Sequence, residues 1–195
     1  FRRVLFRSAG KLTNARKEFD TGLSSFNLAM GSAAFYDWLR ENPKLFRPDS
    51  IDYIHDPARI GKLSRVISIN GGVQVDLMGQ ENAESANGMQ LSGIGGQMDF
   101  LEGAFRSEGG CGYICINSSR LTKDGVRKSN ILPFIPGGST VSAPRTLIEA
   151  VATEYGIAHL AGKSLAERRE AMIAIAHPDF RDALRSEKPD LSRFL

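Results

Sequence analysis

Apolar positions along this chain recur in two periods, and the switches between them divide the sequence into strands and helices. In "VQVDL", Val73, Val75 and Leu77 alternate with Gln74 and Asp76, the pattern of a strand with one covered face. "RVISIN" precedes it as a second strand, with Gly71-Gly72 between the two. "GYICIN" is a continuous apolar run, which predicts a strand covered on both faces. "LSSFNLA", 23–29, reads as a short strand, "NILPFI" as an edge strand interrupted by Pro133, and Ala150–Thr153 as a further strand. Helical spacing appears at Phe35, Trp38 and Leu39, with Ser32 placed to cap and Asn42-Pro43 to stop. "DPARIGKL" predicts a short helix with Asp56 as cap and Pro57 in its first turn. "QMDFLEGAFRS" predicts another. In "SLAERREAMIAIAHPDF", Ser164-x-x-Glu167 is a capping box, Leu165, Met172, Ile175 and Ala176 form one stripe, and Pro178 ends it before a last helix, "DFRDALR". Strands alternating with helices, with no repeat or linker, predict an α/β layered fold.

The stretch "LSGIGGQMDF", 91–100, puts three glycines into four positions directly before a predicted helix. Bare backbone at such a place can turn several N–H groups towards one anion, and the helix N-terminus adds positive potential. A tight turn or a close packing contact would need the same glycines. The spacing matches neither a phosphate-binding G-K-[ST] loop nor G-x-G-x-x-G.

Composition changes this picture little. The 195 residues are 42% hydrophobic and 24% charged, an ordinary globular balance. No apolar run approaches the roughly 20 residues of a membrane span, and no signal peptide is visible. The formal charge of +3 falls to zero without Arg2, Arg3 and Arg7. These belong to "FRRVLFRS", residues 1–8, which resembles a translated sequencing adapter and is expected to be non-native. No basic stripe with interleaved aromatics points to nucleic acid. Cys111 and Cys115 are not spaced as C-x-x-C; they are expected on one strand face as buried, reduced thiols of a cytoplasmic protein. His55, His159 and His177 form no local metal-ligand pattern, and no metal is expected.

Four blocks carry a resemblance: "SINGGVQVDLMGQENAES", "SGIGGQMDFLEGAFRSEGG", "TEYGIAHLAGKS" and "AIAHPDFRDAL". In this order and spacing the chain, from about Gly10 to about Leu184, resembles the C-terminal part of the acetyl-CoA hydrolase/transferase family, notably its 4-hydroxybutyrate and butyryl-CoA:acetate CoA-transferases. The resemblance implies a layered CoA-transferase-like domain, with a mixed or mostly parallel sheet flanked by helices. Residues 9–195 would then form part of that domain, the N-terminal domain and the nucleophile segment lying outside this chain. It implies a parent enzyme that moves coenzyme A between an acyl-CoA and a short-chain carboxylate through a glutamyl-CoA thioester. CoA would be a substrate, with no permanent cofactor, in a cytoplasmic homo-oligomer. An acyl-CoA hydrolase on the same scaffold and a noncatalytic CoA-binding module are the alternatives.

Carried over by position, the resemblance gives Gly96 a backbone contact to the thioester end of CoA, with Gly93 and Gly95 shaping the turn. Val73 and Lys123 match CoA-contacting positions, and Glu154 matches a glutamate that lines the active site without being the nucleophile. The nucleophile itself belongs to a Thr-Glu motif upstream of "GKLTNARK", so no residue here is assigned that role. Two arginines common in relatives are missing: Ser129-Asn130 stands where they have Ser-Arg, and "HLAGKS" where many have "DLRGKS".

Overall fold

The computed structural model describes residues 6–187; residues 1–5 of the adapter-like start and residues 188–195 lie outside it. β1 (Ser24–Phe26) pairs in parallel with β2 (Phe46–Pro48) across the intervening α1 (Ala33–Glu41). The strand expected over 23–29 is shorter because its partner runs into Pro48, which has no amide to extend a ladder. Ser32 caps α1, its Oγ accepting from the Phe35 amide at 3.3 Å, and Asn42 ends the helix. Two single turns follow, α2 (Ile51–Ile54) and α3 (Pro57–Ile60), the latter capped by Asp56 Oδ1 accepting from Ala58 N at 2.9 Å.

β3 (Ile67–Gly71) then leads into the short strands β4 (Gln74–Asp76), β5 (Glu81–Asn82), β6 (Ser85–Ala86) and β7 (Met89–Gln90), and on to α4 (Gln97–Arg106) and β8 (Cys111–Cys115). β9 (Ser119–Leu121) and β10 (Arg127–Ser129) form an antiparallel ribbon. β11 (Ile131–Leu132) pairs with β4 at the edge of a β11-β4-β5 sheet and stops at Pro133, as its sequence implied. β12 (Ala150–Thr153) and β13 (Gly156–His159) make a hairpin, followed by α5 (Leu165–Ala174) and α6 (Pro178–Ser186).

The main sheet has the order β13-β12-β8-β3, with β3, β8 and β12 parallel and β13 antiparallel, so the fold is the mixed, mostly parallel α/β architecture expected. On one face Ser68, Ile114, Val151 and Ala158 are buried; Ile114, Val151 and Ala158 join Leu101 of α4 and Met172 and Ile173 of α5 in the core. The other face presents Ile67, Ile69 and Ile157, each more than half exposed. "GYICIN" is therefore covered on one face rather than two: its burial alternates along β8 because Tyr113 and the cysteines point away from the helices. Cys111 is accordingly half-buried and Cys115 exposed, not sealed in the core as expected. Met172, Ile175 and Ala176 are buried as their spacing implied, whereas Leu165, the first residue of α5, faces solvent.

Candidate functional site

Three parallel strands end at one edge of the main sheet, and two of them lead into residues singled out by the sequence. β3 runs into Gly71-Gly72-Val73, β8 into Ile116–Ser118, and β12 into Glu154. α4, which runs back along the sheet to β8, places its N-terminus at the same edge, where open α/β sheets bind ligands.

Glu154 is fixed by the end of β8. Its Oε2 accepts from the Ser118 amide at 2.9 Å and its Oε1 from the Ser118 hydroxyl at 2.6 Å. Desolvation pushes its pKa up, but the two Ser118 hydrogen bonds outweigh that and hold it below the usual glutamate range. The result is an anchored, ionised carboxylate at a strand end. Val73 is half-buried and donates its amide to Asn82 O at 2.9 Å, which leaves part of its side chain open at this edge.

The glycine loop is exposed from Leu91 to Gly95, so the bend is not sealed in the interior. Its glycines have different reasons. Gly95 has φ +60°, a conformation L-residues rarely adopt. Gly96 has an ordinary φ of −93° and is the N-cap of α4. A Cβ on it would sit 2.1 Å from Cε1 of His55, so the glycine is required by the imidazole pressed against it. Gly93 meets nothing within 4 Å and has no positive φ, so its expected part in shaping the turn has no steric basis among the described residues. Gly96 offers no side-chain cap, which leaves the first-turn amides of α4 without a side-chain acceptor. His55 Nδ1 lies 3.2 Å from Asp99 Oδ2, and its ring stands edge-on to Phe100, 5.1 Å between centroids.

Lys123 sits in the exposed turn of the β9–β10 ribbon, closed by Thr122 N donating to Val126 O at 2.8 Å. The ribbon leaves the same sheet edge, yet no hydrogen bond or ion pair among the described residues joins Lys123 to Gly96 or Glu154. At the departures from the relatives, Asn130 is buried. It takes a hydrogen bond from Arg120 at 2.7 Å and donates to Asn117 O at 2.9 Å, so an arginine is brought to this strand end from β9. Two cavities near the amino-terminal segment, one of about 170 Å³ walled by Phe19, Tyr53, Arg59 and Phe100, do not include residues 91–97. No cluster of three or more His, Cys, Asp or Glu side chains that could hold a metal occurs among the described residues.

The structure adds Glu81, which the sequence reading passed over. It is completely buried, and its Oε2 accepts from Gln97 Nε2 in the first turn of α4. Oε1 has no partner among the described residues and faces Gly72: a Cβ there would lie 2.5 Å from it. Burial pushes its pKa up to about 7, against the Gln97 hydrogen bond and with the help of the Glu84 charge. One carboxyl group thus lies between the Gly71-Gly72 turn and the first turn of α4. The only hint in the sequence was an acid inside the block "MGQENAES".

Comparison with known proteins agrees with this fold. The chain is 44% identical over 176 residues to the butyryl-CoA:acetate CoA-transferase of Anaerostipes caccae, covering 90% of this chain and 39% of that protein. It is 42% identical over 179 residues to the 4-hydroxybutyrate coenzyme A transferase of Clostridium kluyveri, covering 92% and 41%. Among solved structures, RipA from Yersinia pestis superposes with a TM-score of 0.83 at 41% identity, over 93% of this chain and 40% of RipA. The 4-hydroxybutyrate CoA-transferase of Porphyromonas gingivalis superposes at 0.78 with 34% identity, over 99% and 43%. The chain spans about two-fifths of the length of the curated relatives it matches. Residues 31–188 match the acetyl-CoA hydrolase/transferase C-terminal domain, and the chain belongs to that family.

Proposed function

We propose that the chain is the CoA-handling half of a CoA-transferase, working with a glutamate nucleophile supplied by polypeptide outside residues 1–195. The observation that carries this reading is the shared sheet edge: an uncapped helix N-terminus at Gly96 and the anchored Glu154 carboxylate at strand ends of one sheet. In the reaction the nucleophilic carboxylate attacks the acyl-CoA carbonyl, and the thiolate of CoA leaves as a mixed anhydride forms. The thiolate then attacks the glutamyl carbonyl of that anhydride, giving glutamyl-CoA and releasing the first carboxylate. An acceptor carboxylate reverses both steps. Each passes through a tetrahedral oxyanion, which backbone N–H donors stabilise by a few kcal/mol in a water-poor site. In this reading the amides behind Gly96 face the oxyanion, Gly95 holds the turn, and Glu154 repels or orients the incoming carboxylates. Val73 packs on pantetheine, and Lys123 reaches the phosphate end. Short-chain acyl groups, a cytoplasmic location and a homo-oligomeric assembly belong to the same proposal; the named activities of the relatives support the first.

The test is a chimera in which residues 9–187 replace the corresponding part of the Anaerostipes caccae enzyme. The expected result is CoA transfer from butyryl-CoA to acetate by the chimera and none by the 195-residue chain alone. A folded chimera without transfer, or transfer by the chain alone, overturns the proposal. A second reading, hydrolysis, is favoured by the Saccharomyces cerevisiae acetyl-CoA hydrolase, 34% identical over 67% of this chain. It requires CoA release by the chimera without any acceptor carboxylate.

A further inference from the structure

We infer that Glu81 is a positioning residue that keys the Gly71-Gly72-Val73 turn to the first turn of α4, and that it does so as a neutral acid. The group is fully buried, receives one hydrogen bond, from Gln97, and has an oxygen without a partner. An ionised carboxylate in that setting would be a buried charge with one neutral donor, far costlier than a buried neutral acid. Its surroundings offer no compensation. Gly72, beside Ile116, faces the carboxyl group, and the ladder partners of Glu81, Val75 and Ala143, carry no charge. The facing charge is Glu84, of the same sign, whose Oε2 accepts from the Ser142 hydroxyl at 2.7 Å. Asp76 on β4 is occupied by the amides of Met78 and Gln80, and Asp99 on α4 faces His55. The elevated pKa agrees with this geometry.

Proton loss would force water or a counter-ion towards Glu81, parting Gly72 from Gln97. The turn bearing Val73 and the helix start behind Gly96 would then loosen together. The consequence for CoA rests on the function proposed above; the mechanical coupling does not.

Two measurements separate them. Amide exchange is followed on the whole chain at Val73, bonded to Asn82 O, and at Phe100, bonded to Gly96 O, between pH 5.5 and 8.5, after correction for intrinsic exchange rates. The expected result is at least a tenfold loss of protection at both amides in the wild type and a flat profile in Glu81→Gln. Unchanged protection in the wild type, or the same loss in a folded Glu81→Gln, overturns the inference. If that variant does not fold, the wild-type series decides alone. Calorimetric CoA titration of the chimera completes the test, with weaker binding at pH 8.5 expected in the wild type but not in Glu81→Gln. Absence of CoA binding at every pH, with the exchange result intact, would refute the CoA reading and leave the positioning role standing. Binding equal at both pH values, with flat exchange, would do the reverse.

Discussion

Glu81 and Glu154 show how two carboxyl groups, one on β5 and one just past β12, acquire opposite characters. Glu154 takes two hydrogen bonds from Ser118 and stays ionised; Glu81 takes one from Gln97 inside the protein and is pushed up to about 7. The folded pKa of Glu81 lies above its value of 4.5 in a flexible chain, so between those values the native state binds more protons than the unfolded one. Stability from this group is complete below about pH 4.5 and is lost as pH rises through 7, by about 3 kcal/mol at most. Urea unfolding at pH 5 and pH 8 measures it, and Glu81→Gln should flatten the difference. For Glu154→Gln in the chimera we expect transfer to fall roughly 10²-fold with folding intact, the size seen when a preorganised polar group is removed. A loss under twofold would place Glu154 outside the chemistry. Gly96→Ala drives a methyl into His55 and should cost about 1–3 kcal/mol, partly recovered in Gly96→Ala/His55→Ala. Gly93→Ala, in open space, should stay within about 0.5 kcal/mol.

Local signals survive at the level of elements, and long-range ones do not. Ser32, Asp56 and Ser164 cap the helices they precede because capping is a matter of three or four adjacent residues. The Ser164–Glu167 box forms in both directions, so Ser164→Ala should cost about 1 kcal/mol and lower the melting temperature by roughly 2–4 °C in calorimetry. β12 was legible at its boundaries, Ala150–Thr153, while β8 was legible as a strand but not in its burial. A run of Cys, Tyr and Ile reads as apolar on both sides, yet whether a helix covers each side depends on residues dozens of positions away. The site divides the same way. Val73 and Glu154 stand out through the blocks that contain them. The reason Gly96 must be glycine is His55, 41 positions upstream, and the burial of Glu81 is set by α4 and the turn at Gly72. Nothing in "ENAES" itself distinguishes a sealed acid from a solvated one.

On the scale of the whole molecule, among the described residues the helices α4 and α5 cover one side of the main sheet. α4 and α5 seal Ile114, Val151 and Ala158, while Ile67, Ile69 and Ile157 stand 52%, 69% and 52% exposed on the opposite face. Their register makes them one surface: Ile67 pairs with Cys111, Ile69 with Tyr113, and Ile157 with Ala152, itself opposite Cys115. A sheet face with three exposed isoleucines, bordered by β3 at the end of the strand order, is a poor surface to leave in water. Hydrophobic association needs only area, so the isolated chain should self-associate at micromolar concentration. Light scattering across a dilution series measures this, and the Ile69→Lys/Ile157→Lys pair should move the distribution towards monomer. Both side chains already project into solvent, so the lysines can extend without burying charge, and the urea midpoint should shift little. A wild-type chain that stays monomeric throughout the series would overturn the prediction. Association that persists unchanged in the double variant would move the contact to the unpaired edge of β3.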